Sequence, residues 1–245
     1  MKVPYLIIQA GFLLVTFVFY TFLLIQLQKS LRLCNFTEIR KKKIFAMTLV
    51  SLVTWAVATS LLSISGFITD FSTFPPKIII VLLVPLVVII WAVNTTTVKE
   101  LLKHVAQEYL ILLQSFRIVV EILLWLLFIN GLAPVQMTFE GRNFDVLSGV
   151  SAILIAFLVS RKKAPKPLII AWHFACLVLL VNIVTTAILS MPTQLRVFMN
   201  EPSNTIVAEF PIVWLPGFLV PLAYGLHFLA LRQLFMKTSI DYLSL

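Results

Sequence analysis

The sequence predicts an all-α membrane protein, a single bundle of seven transmembrane helices. Three observations predict this fold class: 60% of the residues are hydrophobic, only 12% are charged, and several apolar stretches reach about 20 residues, the length that crosses a bilayer as a helix. Soluble proteins have roughly 45–50% apolar and 25% charged residues, so they could not bury this much apolar surface. The connections are too short for a separate soluble domain, and we therefore expect one domain over residues 1–245.

Seven apolar segments are predicted to cross the membrane. They lie at about 4–27, 44–66, 76–94, 108–130, 146–160, 167–190 and 211–235. The first is longer than the roughly 7–15-residue apolar core of a cleavable signal, so we expect it to be retained as a span. The fifth is short for a crossing. The polar residues 95–107, before the fourth span, are predicted to form a surface helix.

The basic residues fall mainly on one side of the predicted bundle. Fourteen Lys and Arg residues occupy alternate connections, and four occupy the opposite side. The first group lies in residues 29–43, 99–103, 161–166 and 232–237, and the second consists of Lys2, Lys77, Arg142 and Arg196. Cytoplasmic loops carry such an excess, which predicts the N-terminus outside and the C-terminus inside. The net charge of +9 then belongs to a surface that meets anionic headgroups, and no nucleic-acid partner is expected.

The third and seventh spans share a proline pattern. Phe74-Pro75 precedes Val84-Pro85-Leu86 at the same offset as Phe210-Pro211 precedes Val220-Pro221-Leu222. Matched proline-interrupted helices are typical of transporters built from two repeats, so the pattern indicates two three-helix units joined by the fourth span, a 3+1+3 parallel repeat. Chance recurrence of common apolar residues is the alternative. The plan is similar to that of the SWEET and PQ-loop transporters, although the chain contains no Pro-Gln dipeptide.

The fourth span carries ionisable residues near its middle. Arg117 and Glu121 are four residues apart and share a helix face, with Gln114 one turn earlier. Charges at this depth are costly unless partners or water meet them. We therefore predict a polar interior in which the pair binds a small polar or anionic solute, or in which Glu121 exchanges a proton. The alternative is that the two residues neutralise each other and fix how the helices pack.

Further polar residues are predicted to line the same site, namely Asn182 on the sixth span and Tyr224 and His227 on the seventh. Proline removes a backbone donor and frees a carbonyl about one turn earlier. Kinks that act as gates are therefore expected at Pro85, Pro216 and Pro221. A structural interpretation stays open for all six residues, as hydrogen bonds between helices or as kinks that serve packing.

His173 and His227 lie at similar distances from the predicted cytoplasmic face. This spacing permits a bis-histidine haem or part of a metal site, and no other cofactor is indicated. Cys34 and Cys176 fall in different environments, so neither a disulfide nor a cysteine metal cluster is expected. The common hydrolase, nucleotide-binding and zinc motifs are missing from the sequence, and no enzyme activity is indicated.

Four stretches of the chain carry a resemblance to a known group of proteins. QSFRIVVE, FEGRNFD, MNEP and WLPGFLVPLAYGLHFLALRQL resemble an uncharacterised family of bacterial heptahelical integral membrane proteins. The resemblance implies a seven-helix topology in the bacterial inner (plasma) membrane and implies no particular activity.

Three functions remain open from the sequence. The first is a transporter or channel-like protein for a small-molecule or ion substrate, coupled to protons, with the Arg117 and Glu121 site at mid-membrane. The second is a heptahelical sensor or a subunit of a membrane complex, in which residues 191–210 and 137–145 form an outer cap that binds a ligand or partner protein, or in which the chain forms an oligomer. The third is a haem protein based on His173 and His227.

Overall fold

The computed structural model describes residues 3–241, and its regular structure in that range is entirely helical. Lys2, assigned above to the outer side, lies outside the described residues. Nine α-helices occur between residues 3 and 241: α1 (Tyr5–Leu33), α2 (Glu38–Ile64), α3 (Ile79–Val93), α4 (Thr96–Leu102), α5 (Gln107–Leu112), α6 (Phe116–Ile129), α7 (Val146–Ser160), α8 (Lys166–Leu189) and α9 (Val220–Asp241). Helices α5 and α6 are joined by a 3₁₀ turn at Leu113–Ser115, and together they form one central span, Gln107–Ile129.

Helices lie at all seven positions where spans were predicted. Within residues 3–241, five helical segments are long and apolar enough to cross a membrane: Tyr5–Leu33, Glu38–Ile64, Gln107–Ile129, Lys166–Leu189 and Leu215–Met236. A sixth is obtained if α3 and α4, which are bent by 74° at their junction, count as one broken span. Helix α7 has 15 residues and is about 22 Å long, shorter than the roughly 30 Å hydrocarbon core. The chain thus has the helices of a multi-pass membrane protein.

Local sequence explains where several helices begin and end. Thr37 and Thr95 precede α2 and α4, and each hydroxyl accepts a hydrogen bond from a backbone N–H in the first turn. The central span ends at Ile129 and is soon followed by Gly131, whose positive φ of 74° suits a residue without a side chain. There the N–H of Gly131 donates to Phe128 O and that of Leu132 donates to Leu127 O, which closes the helix with a Schellman motif.

The central span and α9 form the core of the bundle. Buried residues on them include Phe116, Leu127 and Leu226, and α1 contributes Ile8 and Phe12 to the same cluster. Helix α2 lies at the periphery, with only Thr59 and Ser63 buried. The outward faces of α1, α2, α3, α7 and α8 expose many large apolar side chains, as surfaces in contact with lipid do.

A π-helical turn, Leu215–Leu219, precedes α9. The kink that Pro221 predicts should free a carbonyl one turn earlier, at Gly217. That carbonyl accepts a hydrogen bond from Trp55 Nε1 at 3.0 Å, and the next one, Phe218 O, accepts from Tyr20 Oη at 3.2 Å. Side chains from α2 and α1 therefore satisfy the irregular backbone, as a bilayer requires.

Residues 191–210 form a packed cap at one end of the bundle, as the sequence predicts. Asn200 donates to Gln136 Oε1 at 2.7 Å, and Gln136 donates to Ser190 Oγ at 3.0 Å, which ties the cap to the loop after the central span and to the end of α8. Within the cap, Arg196 donates to Glu201, and this hydrogen bond lowers the pKa of the Glu201 carboxyl. We call this end the cap end.

The opposite end carries the connections rich in Lys and Arg, and we call it the basic end. Two contacts hold its elements together: Arg40 Nη2 donates to Thr97 Oγ1 at 3.3 Å, and Gln233 Nε2 donates to the carbonyl of Leu102 at 2.8 Å. These contacts join α2 to α4 and α9 to the end of α4.

Candidate functional site

Three polar residues near the middle of the central span face the interior of the bundle. Gln114, Arg117 and Glu121 have exposed fractions of 0%, 2% and 2%, as their spacing on one helix face predicts. Gln114 Nε2 donates to Ala223 O of α9 at 3.1 Å. The site therefore lies between the central span and α9, near the middle of the central span.

Arg117 pairs with Asp145 rather than with Glu121. Its Nε lies 2.8 Å from Asp145 Oδ2, and both side chains are almost completely buried. Its Nη1 lies 3.3 Å from His227 Nε2. The alternative prediction that Arg117 and Glu121 neutralise each other is therefore wrong, because the carboxylate that pairs with Arg117 is that of Asp145, at the start of α7.

Asp145 reaches this depth because α7 is short and lies close to the central span. It immediately precedes α7, where a carboxylate is favoured by the helix dipole. One turn later, Gly149 faces the central span so closely that a Cβ there would lie 2.9 Å from the backbone nitrogen of Ile118 and 3.3 Å from Arg117 Cβ. The absence of a side chain at Gly149 thus lets α7 place Asp145 beside the guanidinium.

His227 and His173 continue the hydrogen-bonded chain from Arg117. Their Nδ1 atoms are 2.8 Å apart, and both residues are fully buried. A guanidinium has only donors, so His227 Nε2 must accept from Arg117. His227 therefore carries its proton on Nδ1 and donates it to His173 Nδ1, which leaves the His173 proton on Nε2. Both imidazoles are neutral in this arrangement, because each has one nitrogen that accepts a hydrogen bond.

The two histidines do not fit the haem site that their similar depth suggests. A bis-histidine haem holds its iron and the porphyrin plane between the two imidazoles, whereas here the rings touch each other, with centroids 5.1 Å apart. A metal site receives no support either, since no group of three or more His, Cys, Asp or Glu side chains suited to a metal occurs in the described part of the chain.

Glu121 is held at one oxygen and free at the other. Its Oε1 accepts a hydrogen bond from Asn143 Nδ2 at 2.6 Å, whereas its Oε2 is buried and has no hydrogen-bond partner within residues 3–241. Asn143 is itself fixed, because it also donates to Met137 O and accepts from the backbone N–H of Asp145. The loop before α7 thus supplies partners to both buried ionisable residues of the central span, Arg117 and Glu121.

A cavity of about 90 Å³ lies beside Glu121, toward the cap end. Its wall is apolar except for Glu121, Asn143 and Asp145. The apolar wall comes from the start of α3, the central span, α8, the cap and the π-helical turn: Ile78, Ile79, Leu82, Val120, Leu124, Met137, Leu180, Ile183, Val184, Ala187, Ile188, Met191, Val207, Leu215, Pro216 and Val220. This volume holds about three water-sized groups.

The other predicted site residues divide into two groups. Tyr224 is half-buried and close enough for the charges of Arg117 and Asp145 to act on its hydroxyl, and Pro216 lines the cavity. Asn182, in contrast, is exposed and donates to Arg142 O at 2.8 Å, so the prediction that it lines the site is wrong. It lies nine residues after His173, about two and a half helical turns, and therefore faces the opposite way.

Pro85 and Pro221 do not line the cavity. Pro85 lies inside α3 and Pro221 in the first turn of α9.

Sequence reasoning did not assign Asp145 and Asn143 to the site. Both belong to a loop that the hydropathy pattern places outside the bundle. One signal was present in the sequence: the fifth apolar segment is too short to cross the bilayer, so one of its ends has to begin inside the bundle.

Comparison with known proteins gives one match. A family model described as "Domain of unknown function (DUF8737)" matches residues 73–235, a range that includes every residue of the site. No curated protein and no solved structure matches the chain.

Proposed function

For this chain, which belongs to the DUF8737 family, we propose a transporter or channel-like function: it moves a small polar solute through a mid-membrane site and couples this movement to a proton on Glu121. The observation that carries the proposal is the Oε2 atom of Glu121, a buried carboxylate oxygen that has no hydrogen-bond partner among the described residues and belongs to a side chain that lines a cavity. A carboxyl group at this depth is costly and commonly marks a proton or substrate pathway.

The residues around Glu121 have separate roles in this proposal. Arg117 and Asp145 form a fixed ion pair that sets the local charge, and Asn143 orients Glu121 through Oε1. Gln114 and His227 hold α9 against the central span through their contacts with Ala223 O and Arg117. An anionic solute is less favoured than the sequence suggests, because no Lys, Arg or His side chain of the described chain lines the cavity.

The proposal includes the finer topology. We propose seven crossings, with the N-terminus outside and the C-terminus inside a bacterial inner membrane, and a 3+1+3 repeat in which the central span joins two three-helix units. The asymmetry of the basic residues supports this orientation. Helix α7 is the short crossing, and Pro85, Pro216 and Pro221 are the positions where the third and seventh spans bend during transport.

Proton flux in proteoliposomes tests the function. The full chain is reconstituted into liposomes that contain a pH-sensitive dye, and a proton gradient is imposed with and without small polar solutes outside. We expect a solute-dependent proton flux that Glu121→Gln abolishes, since glutamine still accepts the bond from Asn143 and carries no exchangeable acid. Glu108→Gln, at the far end of the same span, is the matched control and retains the flux. Flux that survives in Glu121→Gln, or that is missing from the unaltered protein, overturns the proposal.

The cap supports a second function, binding of a partner protein. Leu195, Val197 and Met199 alternate along the cap and have exposed fractions of 47%, 63% and 70%. Apolar patches rimmed by polar residues commonly mark interaction sites. A variant with serine at all three positions tests this function: a co-purifying subunit that is lost from the variant supports it, and an unchanged subunit composition contradicts it.

A further inference from the structure

We infer that the cavity beside Glu121 binds a small primary alkylammonium ion, and that this cation and the Glu121 proton replace each other. The inference deepens the proposed function, on which it rests, by naming the chemical class of the solute. It is carried by the charges of the buried cluster, by the free oxygen of Glu121 and by the composition of the cavity wall.

The buried cluster contains one cation and two carboxyl groups. Arg117 supplies the positive charge, and Asp145, whose Oδ2 lies 2.8 Å from Arg117 Nε, neutralises it. His227 and His173 contribute no charge, because the hydrogen-bond chain from Arg117 requires both to be neutral. With Glu121 ionised, the cluster therefore carries one uncompensated negative charge.

The neighbouring elements offer Glu121 no further positive charge. The titratable groups that face the cluster are Asp145 from α7, His173 and Cys176 from α8, and Tyr224 and His227 from α9. None of these is a cation in the arrangement described. A buried uncompensated charge is unfavourable, so either a proton on Glu121 or a bound monovalent cation must balance it. Binding of the cation and protonation of Glu121 are then mutually exclusive.

The cavity wall selects an organic cation over an inorganic one. Metal cations prefer several oxygen ligands at once, but Glu121 Oε2 is the one carboxylate oxygen of the lining without a protein partner in the described chain. Asp145 is engaged by Arg117 and by Ser148, and Asn143 by Asp145. The remainder of the wall is apolar. An ammonium group beside the Glu121 carboxyl group, with a short alkyl chain in the apolar part, matches both halves of the cavity.

The cavity is only partly enclosed, and its volume sets how much of the ligand it can surround. A volume of about 90 Å³ accommodates about three water-sized groups, which corresponds to an ammonium group with a short alkyl chain. Val184 lies on the wall, whereas Val181, three residues earlier on α8, is exposed. Val184→Phe therefore fills part of the cavity, whereas Val181→Phe, its matched control, changes only the lipid-facing surface.

Calorimetry with propylammonium chloride tests the inference on purified full-length protein in nanodiscs. At a pH low enough for Glu121 to be protonated in the free protein, we expect saturable binding that releases one proton per cation, measured from the heats in buffers of different ionisation enthalpy. Affinity falls as the pH is lowered, by up to about tenfold per pH unit once Glu121 is protonated in the free protein. Glu121→Gln and Val184→Phe lose at least about tenfold in affinity, which corresponds to roughly 1.4 kcal/mol, whereas Val181→Phe binds like the unaltered protein.

Competition experiments decide between the possible ligands. If propanol competes as well as propylammonium, or if sodium or potassium ions do so, the inference is overturned, because the cavity then recognises shape alone or an inorganic ion. The same holds if propylammonium does not bind, or binds without releasing a proton. If proton flux depends on Glu121 but propylammonium does not bind, this inference is wrong and the proposed function is still supported. Loss of both removes both. The proton count needs no variant, so it decides even if Val184→Phe fails to fold.

Discussion

The ion pair between Arg117 and Asp145 is predicted to be the strongest single interaction in the bundle interior. Arg117 Nε and Asp145 Oδ2 lie 2.8 Å apart, and the two side chains have exposed fractions of 2% and 7%. At an effective dielectric constant of about 20, this separation gives a gross attraction of about 6 kcal/mol. Removing one partner also leaves the other charge buried and unpaired, and such losses cost about 3–5 kcal/mol of unfolding free energy. We expect this loss for Arg117→Leu and for Asp145→Leu.

The double variant is expected to be more stable than either single one. With both charges replaced by leucine, no unpaired charge remains in the interior. The remaining cost is about 1–3 kcal/mol, because His227 Nε2 loses its donor. The four proteins form a double-mutant cycle, and its coupling energy should be at least about 3 kcal/mol.

Unfolding by sodium dodecyl sulfate in mixed micelles, followed by circular dichroism, measures the coupling. The matched control is the cycle with alanine at Arg196 and Glu201, a pair that is 2.9 Å apart but whose Glu201 side chain is 71% exposed. Solvent screens such a pair, so its coupling should be much smaller. A coupling below about 1 kcal/mol for Arg117 and Asp145 would refute the account of this pair as a buried, mutually dependent unit.

Three further predictions concern stability and protonation. Gly149→Ala should destabilise the fold by about 1–3 kcal/mol, because the new Cβ would meet the backbone of Ile118. Gly225→Ala should cost less, because the nearest atoms to its Cβ belong to the Ile89 side chain. Equal losses of stability in thermal denaturation would contradict this prediction. Trp55→Phe leaves Gly217 O without its donor and should lower the free energy of unfolding by about 1–3 kcal/mol. Trp91→Phe, at an exposed position, should change thermal stability little. If the two variants are equally stable, Trp55 does not support the π-helical turn. Nitrogen NMR of ¹⁵N-histidine-labelled protein should show His227 protonated at Nδ1 only and His173 at Nε2 only, and a doubly protonated ring at either position would disprove the tautomer assignment.

Much of the fold could be predicted from the sequence, because hydropathy and helix periodicity are properties of residues that are neighbours along the chain. The positions of the apolar helices, the inward face of Gln114, Arg117 and Glu121, and the packed cap at residues 191–210 all follow from such local patterns. The orientation of Asn182 was also accessible, since its distance in sequence from His173 places it on the opposite face. The prediction that Asn182 lines the site was wrong because polarity and position along a span do not determine which face of the helix a residue occupies.

The partners of the central residues depend on how the helices are placed relative to each other. Asp145 reaches Arg117 only because α7 begins inside the bundle and Gly149 permits a close approach. The direct contact of His173 with His227 depends on the rotation of α8 and α9 about their axes. The hydropathy pattern of one helix specifies neither the starting depth of α7 nor the rotation of α8 and α9. The sequence therefore indicated two histidines at similar depth, but not whether their rings are in contact or separated.

Infrared difference spectroscopy at two pH values tests most directly the central claim that Glu121 carries an exchangeable proton at the cavity. Both pH values are chosen above the range in which exposed carboxyl groups titrate, so that those groups stay ionised throughout. Between these values, the unaltered protein in a lipid film should show a carboxylic acid band that is lost, and a carboxylate band that appears, as the pH is raised. Both bands should be missing from Glu121→Gln and present in Glu108→Gln. Bands that persist in Glu121→Gln, or the absence of any buried carboxyl band from the unaltered protein, would contradict the account.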